Sequence, residues 1–284
     1  MCKSNSRLVG ASMIRRNPWQ SLWATLWVVV VAARAQAPSS VYLEDLTSPE
    51  LRAQVQAGKT VVLIPIGGTE QNGPAMTLGK HNERARVLAG KIARELGNAL
   101  VAPVIAYVPE GTIEPPSGHM RFAGTISIPD DAFERTLESA ARSLRAHGFR
   151  HVVLLGDHGG YQRDLHQAAE NMNHQWAGSG AHVQALIEYY RAATEGFAAL
   201  LRERGFRDDE IGTHAALADT SLMLAIDPGA VRTEVLKGRE PLGPEQGVLG
   251  GDPHGASAQL GELGVDLIVS RSVTAIRAEV ARDH

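Results

Sequence analysis

The sequence predicts an α/β protein built on a mostly parallel sheet with helices on both faces. Three observations carry that expectation. Continuous apolar runs rich in β-branched residues, "TVVLIPI" (60–66) and "HVVLLG" (151–156), read as strands buried on both sides. Stretches with apolar residues at helical spacing alternate with them, as they do in sheets whose parallel strands are joined by helical crossovers. Two of the runs empty into glycine-rich loops that carry Glu70 and His81, and Asp157 and His158. Open parallel sheets bind ligands just beyond the carboxyl ends of their strands.

Each element has its own signal. "SPELRAQVQAG" predicts a helix with Ser48 as N-cap ahead of Pro49. The first strand, 60–66, leads into the loop "GGTEQNGPAMTLGKHN". A helix follows over "ERARVLAGKIAREL", with Ala85, Leu88, Ile92 and Leu96 on one face. "ALVAPVIAYV" is strand-like. "GTISIPDDAFERTLESAARSLRAHGF" predicts a short strand and then a helix. Asp131 and Glu134 read there as a capping box, Phe133, Leu137, Ala140 and Leu144 as the apolar stripe, and Gly148 as the stop. "HVVLLGDHGG" is the third strand, and the helix after it buries Leu165, Ala168, Ala169 and Met172. "AHVQALIEYY" is a fourth strand candidate, and "ASAQLGELGVDLIVSRSVTAIRAEV" a long closing helix. The Gly- and Pro-rich stretch 238–255 is the one long loop, suited to a lid, an oligomer contact or a plain surface loop.

Composition narrows the function. The chain has 284 residues, 44% hydrophobic, enough for one domain with a sizeable core. A net charge of −3 and 5% aromatics give no basic field and no stacking platform, so nucleic acid is not an expected partner. Arg15 and Arg16, the apolar run 21–33 and the small residues Ala33, Ala35 and Ala37 have the order of a secretory signal peptide. The expected organisation is therefore a signal peptide over 1–35, cut near Ala35, and a single domain over 36–284. The mature chain would be exported to the periplasm and free of the membrane, an uncleaved anchor being the alternative. The single cysteine, Cys2, is lost on cleavage, so disulfides, thiolate metal sites and a cysteine nucleophile are excluded from the mature chain.

The chemistry-bearing residues cluster in a few loops. Glu70 and His81 are of the types that bind zinc or manganese, which take carboxylate and imidazole donors. His158 stands directly after a strand, and the backbone N–H groups of Gly159 and Gly160 could face an anionic oxygen at a helix start. A tight turn with a solvent-facing histidine is the plainer alternative. His214 reads as a general base, a substrate contact or a structural histidine, and Asp219 as a helix cap or a ligand. His119 lies beside Phe122 in a turn-rich loop suited to a pocket wall. No phosphate-binding glycine loop and no G-x-S-x-G nucleophile elbow is present.

At these residues the sequence resembles the creatininase (creatinine amidohydrolase) family. The family's ordered motifs are G-[GS]-T-E-Q-H-G-P-H with L-G-T-D, then H-x-x-F-x-G-T-I, G-H-G-G-N and H-A-G-E-x-E-T-S. They are answered here by "GGTEQNGPAMTLGKHN", "HMRFAGTI", "GDHGGYQ" and "HAALADTSLML", over about residues 60 to 275. The resemblance implies a three-layer α/β/α sandwich, a homo-oligomer (a hexamer), one or two divalent ions, and hydrolysis of non-peptide C–N bonds in small amides. Carried over position by position, Glu70 and His158 match metal ligands. Asn72 and Ala75 stand where the family has histidines, His81 where it has a bridging aspartate, and the last motif weakens to Leu217 and Asp219. The expected metal set is Glu70, His81, His158 and Asp219 around one Zn2+ or Mn2+, because a neutral imidazole does not bridge two cations as a carboxylate does. His214, Asp157 and His119 are the expected catalytic residues, and Gly159, Gly160 and Asn72 the expected substrate contacts. The alternatives are a pseudoenzyme or binding protein on the same fold, and a hydrolase of short peptides.

Overall fold

The computed structural model describes residues 40–238 and 240–282. The expected signal peptide, 1–35, and Cys2 lie outside the described residues. A first helix, Ser48–Gln56 (α1), precedes the central strand Val61–Ile66 (β1). Helix Lys80–Leu96 (α2), strand Ala99–Val101 (β2) and helix Asp130–Ala146 (α3) follow. Strand His151–Gly156 (β3), helix Gln162–Gln175 (α4) and strand His182–Ala185 (β4) complete the sheet. Beyond it, Ile187–Arg191 (α5) and Phe197–Glu203 (α6) flank a π-helical turn at Ala192–Gly196. The chain closes with Asp208–Ile211 (α7), Gly212–His214 (β5), Leu217–Ile226 (α8), Thr233–Leu236 (α9), Leu249–Gly251 (β6) and Ala258–Arg282 (α10).

The sheet has the order β2-β1-β3-β4 and all its pairs are parallel. Every residue of β1 and β3 is buried, which explains why neither strand alternates in polarity. Alternate β1 side chains enter two cores. Val61 and Leu63 pack with Leu88 and Ile92 of α2, Leu222 of α8 and Ile268 of α10. Val62, Ile64 and Ile66 pack with Phe133 and Leu137 of α3 and Leu165 and Met172 of α4. The result is a three-layer α/β/α arrangement. From β1 the chain steps to β2 on one side and then returns to β3 on the other. The carboxyl ends of β1 and β3 therefore flank the point where strand order reverses, where such sheets leave a crevice.

The structure departs from expectation at several elements, each for a local reason. The N-cap of α1 is Thr47, one residue before Ser48, because Glu50 accepts from both the Thr47 N–H at 2.7 Å and its hydroxyl at 2.8 Å. Asp131 and Glu134 form no capping box. Pro129 is the N-cap of α3 and has no side-chain acceptor to offer. The strand-like run 99–108 pairs as a strand only over Ala99–Val101, and 124–128 contributes a lone bridge, Thr69 to Ile126. Within 238–255, β6 pairs with β5, so this segment is partly ordered against the rest. The most consequential difference is that α2 starts at Lys80 rather than Glu83. His81 therefore sits in a helix's first turn, not in a loop.

Candidate metal centre

The site begins with the way β1 ends. Past Ile66 the chain turns through Gly67 and Gly68, with Gly68 at φ +143°. Its N–H bonds Asn82 Oδ1 at 3.0 Å, and Glu70 is set down with its side chain fully buried. Asn72 holds the same loop. Its amide donates to the Glu70 carbonyl at 2.9 Å and to the Thr77 carbonyl at 3.0 Å. Beginning α2 at Lys80 then turns Lys80, His81 and Arg84 inward beneath that loop, and all three are buried. Cations in a helix's first turn oppose the macrodipole, so buried ones need carboxylate partners.

The partners are Asp157, just after β3, and Asp219 in α8. Arg84 Nε reaches Asp157 at 2.8 and 3.1 Å and its Nη1 reaches Asp219 at 2.7 Å. Asp157 also takes Tyr189 Oη and His81 Nδ1, each at 2.6 Å. Asp219 also takes Lys80 Nζ and the Ala215 N–H, each at 3.0 Å. Burial would raise both acids, but the adjacent cations hold them below the usual carboxylate range: Arg84 foremost for Asp157, Lys80 and then Arg84 for Asp219.

Glu70 is the hub above this ionic floor. Its Oε1 lies 2.7 Å from His81 Nε2, 3.6 Å from His214 Nδ1 and 3.7 Å from Lys80 Nζ. Its Oε2 lies 3.3 Å from His119 Nε2 and 3.5 Å from His158 Nε2. Two sets of ligand atoms result, Glu70 with His81 and His158, and Glu70 with His119 and His214, the atoms of each within 4.8 Å of one another. Burial would raise Glu70, yet His81, Lys80 and His158 together bring it below its ordinary value. Burial, ahead of the repulsion from neighbouring cations, pushes His158 and His214 down to about 3 and also lowers His119. The His158 and His214 rings are thus neutral at physiological pH, the state in which imidazole binds metal.

Outer contacts aim these rings. Asp157 on His81 Nδ1 leaves Nε2 for Glu70 or a cation, the carboxylate–histidine pairing common behind metal ligands. Gln71 Nε2 meets His119 Nδ1 at 2.9 Å and His214 Nε2 at 3.1 Å, so one amide sets two rings. The Gly160 N–H meets His158 Nδ1 at 3.1 Å. A cavity of about 420 Å³ lies against His214 and Asp219, with Tyr190, Thr194 and Thr213 in its wall. That is the size of a small-molecule site.

Set beside the sequence-derived residues, Glu70, His81, His119, His158 and His214 come together. Asp219 joins neither set of ligand atoms, because Lys80, Arg84 and the Ala215 N–H take up both its oxygens. Asp157 is enclosed by Arg84, His81 and Tyr189, so it bears on His81 rather than on the open site. The Asn72 amide is spent on backbone carbonyls, and the Gly160 N–H on His158. Gly159 lies beside Tyr190, whose Oη would be 2.5 Å from an added Cβ. Sequence reasoning passed over Gln71, Lys80, Arg84, Glu110 and Tyr189. The first three had a signal: a polar residue beside Glu70, and two cations four apart at a helix start.

Comparison with known proteins gives the family. The creatininase family profile, described as creatinine amidohydrolase, matches residues 44–276. The creatinine amidohydrolase of Pseudomonas putida is 27% identical over 259 residues, which cover 84% of this chain and 97% of that protein. The mycofactocin precursor peptide peptidase of Mycolicibacterium smegmatis is 30% identical over 198 residues, 67% of this chain and 66% of that protein. A solved creatininase superposes with a TM-score of 0.71 at 26% identity, over 86% of this chain and 99% of that one. A Zn–Zn form and a manganese form of creatininase each give 0.68 at 26% identity, over 86% and 85% of this chain and 99% of theirs. The matched span takes in the sheet, its crossover helices and all five clustered residues, and the chain belongs to the creatininase family.

Proposed function

We propose that the chain is a metal-dependent amidohydrolase that cleaves a C–N bond in a small, possibly cyclic amide. The observation that carries this reading is Glu70, a fully buried carboxylate ringed by four imidazoles. The donor set fits a divalent cation. It is made only of oxygen and nitrogen, Glu70 Oε2 has no hydrogen-bond partner, and two of the four rings are held neutral. Glu70, His81 and His158 would hold Zn2+ or Mn2+. A bound divalent ion supplies Lewis acidity, which polarises a carbonyl and acidifies water.

The remaining residues position groups and move protons. Asp157 keeps His81 oriented, and Gln71 orients His119 and His214. In the hydrolysis, water adds to the carbonyl carbon, the C–N bond breaks and the nitrogen takes up a proton. His119 and His214, both facing Glu70, are placed to carry that proton. Buried Lys80 supplies a fixed positive charge 3.7 Å from Glu70 Oε1. A second ion on that oxygen would meet this charge, which favours one ion per chain. Residues 36–284 would be the exported domain, assembled as a homo-oligomer, with 1–35 removed. N-terminal sequencing of periplasmic protein starting at Gln36 would support this, and an intact Met1 would refute it.

A second reading, hydrolysis of short peptides, is favoured by the 30% identity to the peptide peptidase. One experiment addresses both readings. Elemental analysis of the purified protein beside Glu70→Gln and His158→Ala is expected to find about one zinc or manganese per parent chain and far less in the variants. Cyclic amides and short peptide amides, assayed in parallel, then separate the substrate classes. A parent with no metal and no effect of either substitution would leave a binding protein on a hydrolase fold.

A further inference from the structure

We propose that Glu110 is a ligand of the same ion, completing the set of Glu70, His81 and His158. This rests on the metal reading above. Glu110 lies in the loop after β2, and its side chain is fully buried. No donor is hydrogen-bonded to either of its carboxylate oxygens or to the Oε2 of the nearby Glu70, and burial together with the Glu70 carboxylate pushes the Glu110 acid up to about 9. Burying an unpaired carboxylate is costly unless a cation or a proton compensates it.

The surroundings hold Glu110 in this position. Its N–H donates to Ser127 Oγ at 3.0 Å, and that hydroxyl donates to the Gly111 carbonyl at 2.7 Å. Gly68 makes the room. A Cβ there would stand 2.3 Å from Glu110 Oε1 and 3.1 Å from Val108 Cγ2. The second glycine of "GGTE" therefore serves two purposes, a left-handed turn and a berth for this carboxylate.

Spacing distinguishes a ligand from a hydrogen-bonded acid. His158 Nε2 is 3.5 Å from Glu110 Oε2 and also 3.5 Å from Glu70 Oε2. That is long for a charge-assisted hydrogen bond. It matches the separation of about 3.4 Å between ligand atoms of a tetrahedral ion with bonds near 2.1 Å. As a ligand through Nε2, His158 would carry its ring proton at Nδ1 and give up the Gly160 N–H contact, and His81 would give up its hydrogen bond to Glu70 Oε1. Charge also balances. Two carboxylates and two imidazoles bound as neutral ligands would neutralise one divalent ion. Asp219, by contrast, has its oxygens committed to Lys80, Arg84 and a backbone N–H.

The test uses the full chain, stripped of metal and titrated with Zn2+ against a chromogenic chelator, for the parent, Glu110→Gln and Glu110→Ala. Zinc affinity is expected to fall at least tenfold in both variants. The metal-free thermal midpoint of Glu110→Gln is expected to stay level, because without an ion the Glu110 acid is held uncharged and the amide fills the same space. The Co2+-loaded variants are expected to show shifted visible absorption bands, a signature of changed ligands that a merely structural residue would not move. Parent-like zinc affinity and an unchanged cobalt spectrum in both variants would overturn the assignment while leaving the metal site standing. A parent that binds no zinc would remove the metal site and this assignment with it.

Discussion

Arg84 shows how much of the site depends on single residues away from the chemistry. Its guanidinium joins Asp157, which aims His81, to Asp219, which anchors Lys80. Neither acid can protonate cheaply, and Asp157 is shut off from water. Arg84→Met keeps much of the volume but leaves two buried carboxylates short of a cation. Removing one partner from a buried pair costs about 3–5 kcal/mol. Tyr189→Phe removes one hydroxyl from Asp157 and should cost about 1–3 kcal/mol. Denaturant unfolding of the metal-free proteins measures both, and an Arg84→Met loss no larger than that of Tyr189→Phe would contradict the bridging role.

At the scale of elements, the site is held by the seam between α8 and α10. Gly261 of α10 lies against the backbone of α8, and a Cβ there would meet the Ser221 carbonyl oxygen at 1.9 Å and Ala225 Cβ at 2.8 Å. Helix propensity alone favours Gly261→Ala by about 1 kcal/mol. The clash with rigid backbone outweighs it, since overpacking typically costs about 1–3 kcal/mol. The expected result is a lower thermal midpoint, by a few degrees, with weaker metal binding because Asp219 rides on the displaced helix. A midpoint equal to the parent's would show that the seam gives way easily.

For the whole molecule, the buried histidines link stability to pH. His158 and His214 titrate near 3 in the folded chain, with burial the largest cause, against an ordinary value of 6.5. Between those limits the unfolded chain binds protons that the folded chain refuses. The contribution of these two rings is therefore full above about pH 6.5 and falls as pH drops towards 3. The thermal midpoint of the metal-free protein should decline steadily from pH 6.5 to 4, and His214→Asn should flatten the decline. Added Zn2+ should raise the midpoint most at neutral pH, because protons compete for the same nitrogens. A midpoint independent of pH across this window would mean that the rings are not shielded. Among the described residues no helix is long and apolar enough to cross a membrane.

The sequence by itself determined the layers and the hub of the site. Strands buried on both faces must be continuously apolar, so 61–66 and 151–156 were legible, and Glu70 and His158 stood out as polar residues just past their ends. Only the tertiary structure decided what the neighbouring charges do. Where α2 begins depends on the loop packed above it, and that start turns Lys80, His81 and Arg84 inward together. Asp219 reads as a ligand in one dimension and becomes an ion-pair anchor once Arg84 and Lys80 reach it across more than a hundred residues. Glu110 sits in a loop with no motif, and its burial against Gly68 and His158 follows from the sheet bringing separate loops to one edge. Periodicity reports which way a side chain faces along its own element. It carries no information about which distant charge will face it, and a buried carboxylate's role is set by that partner.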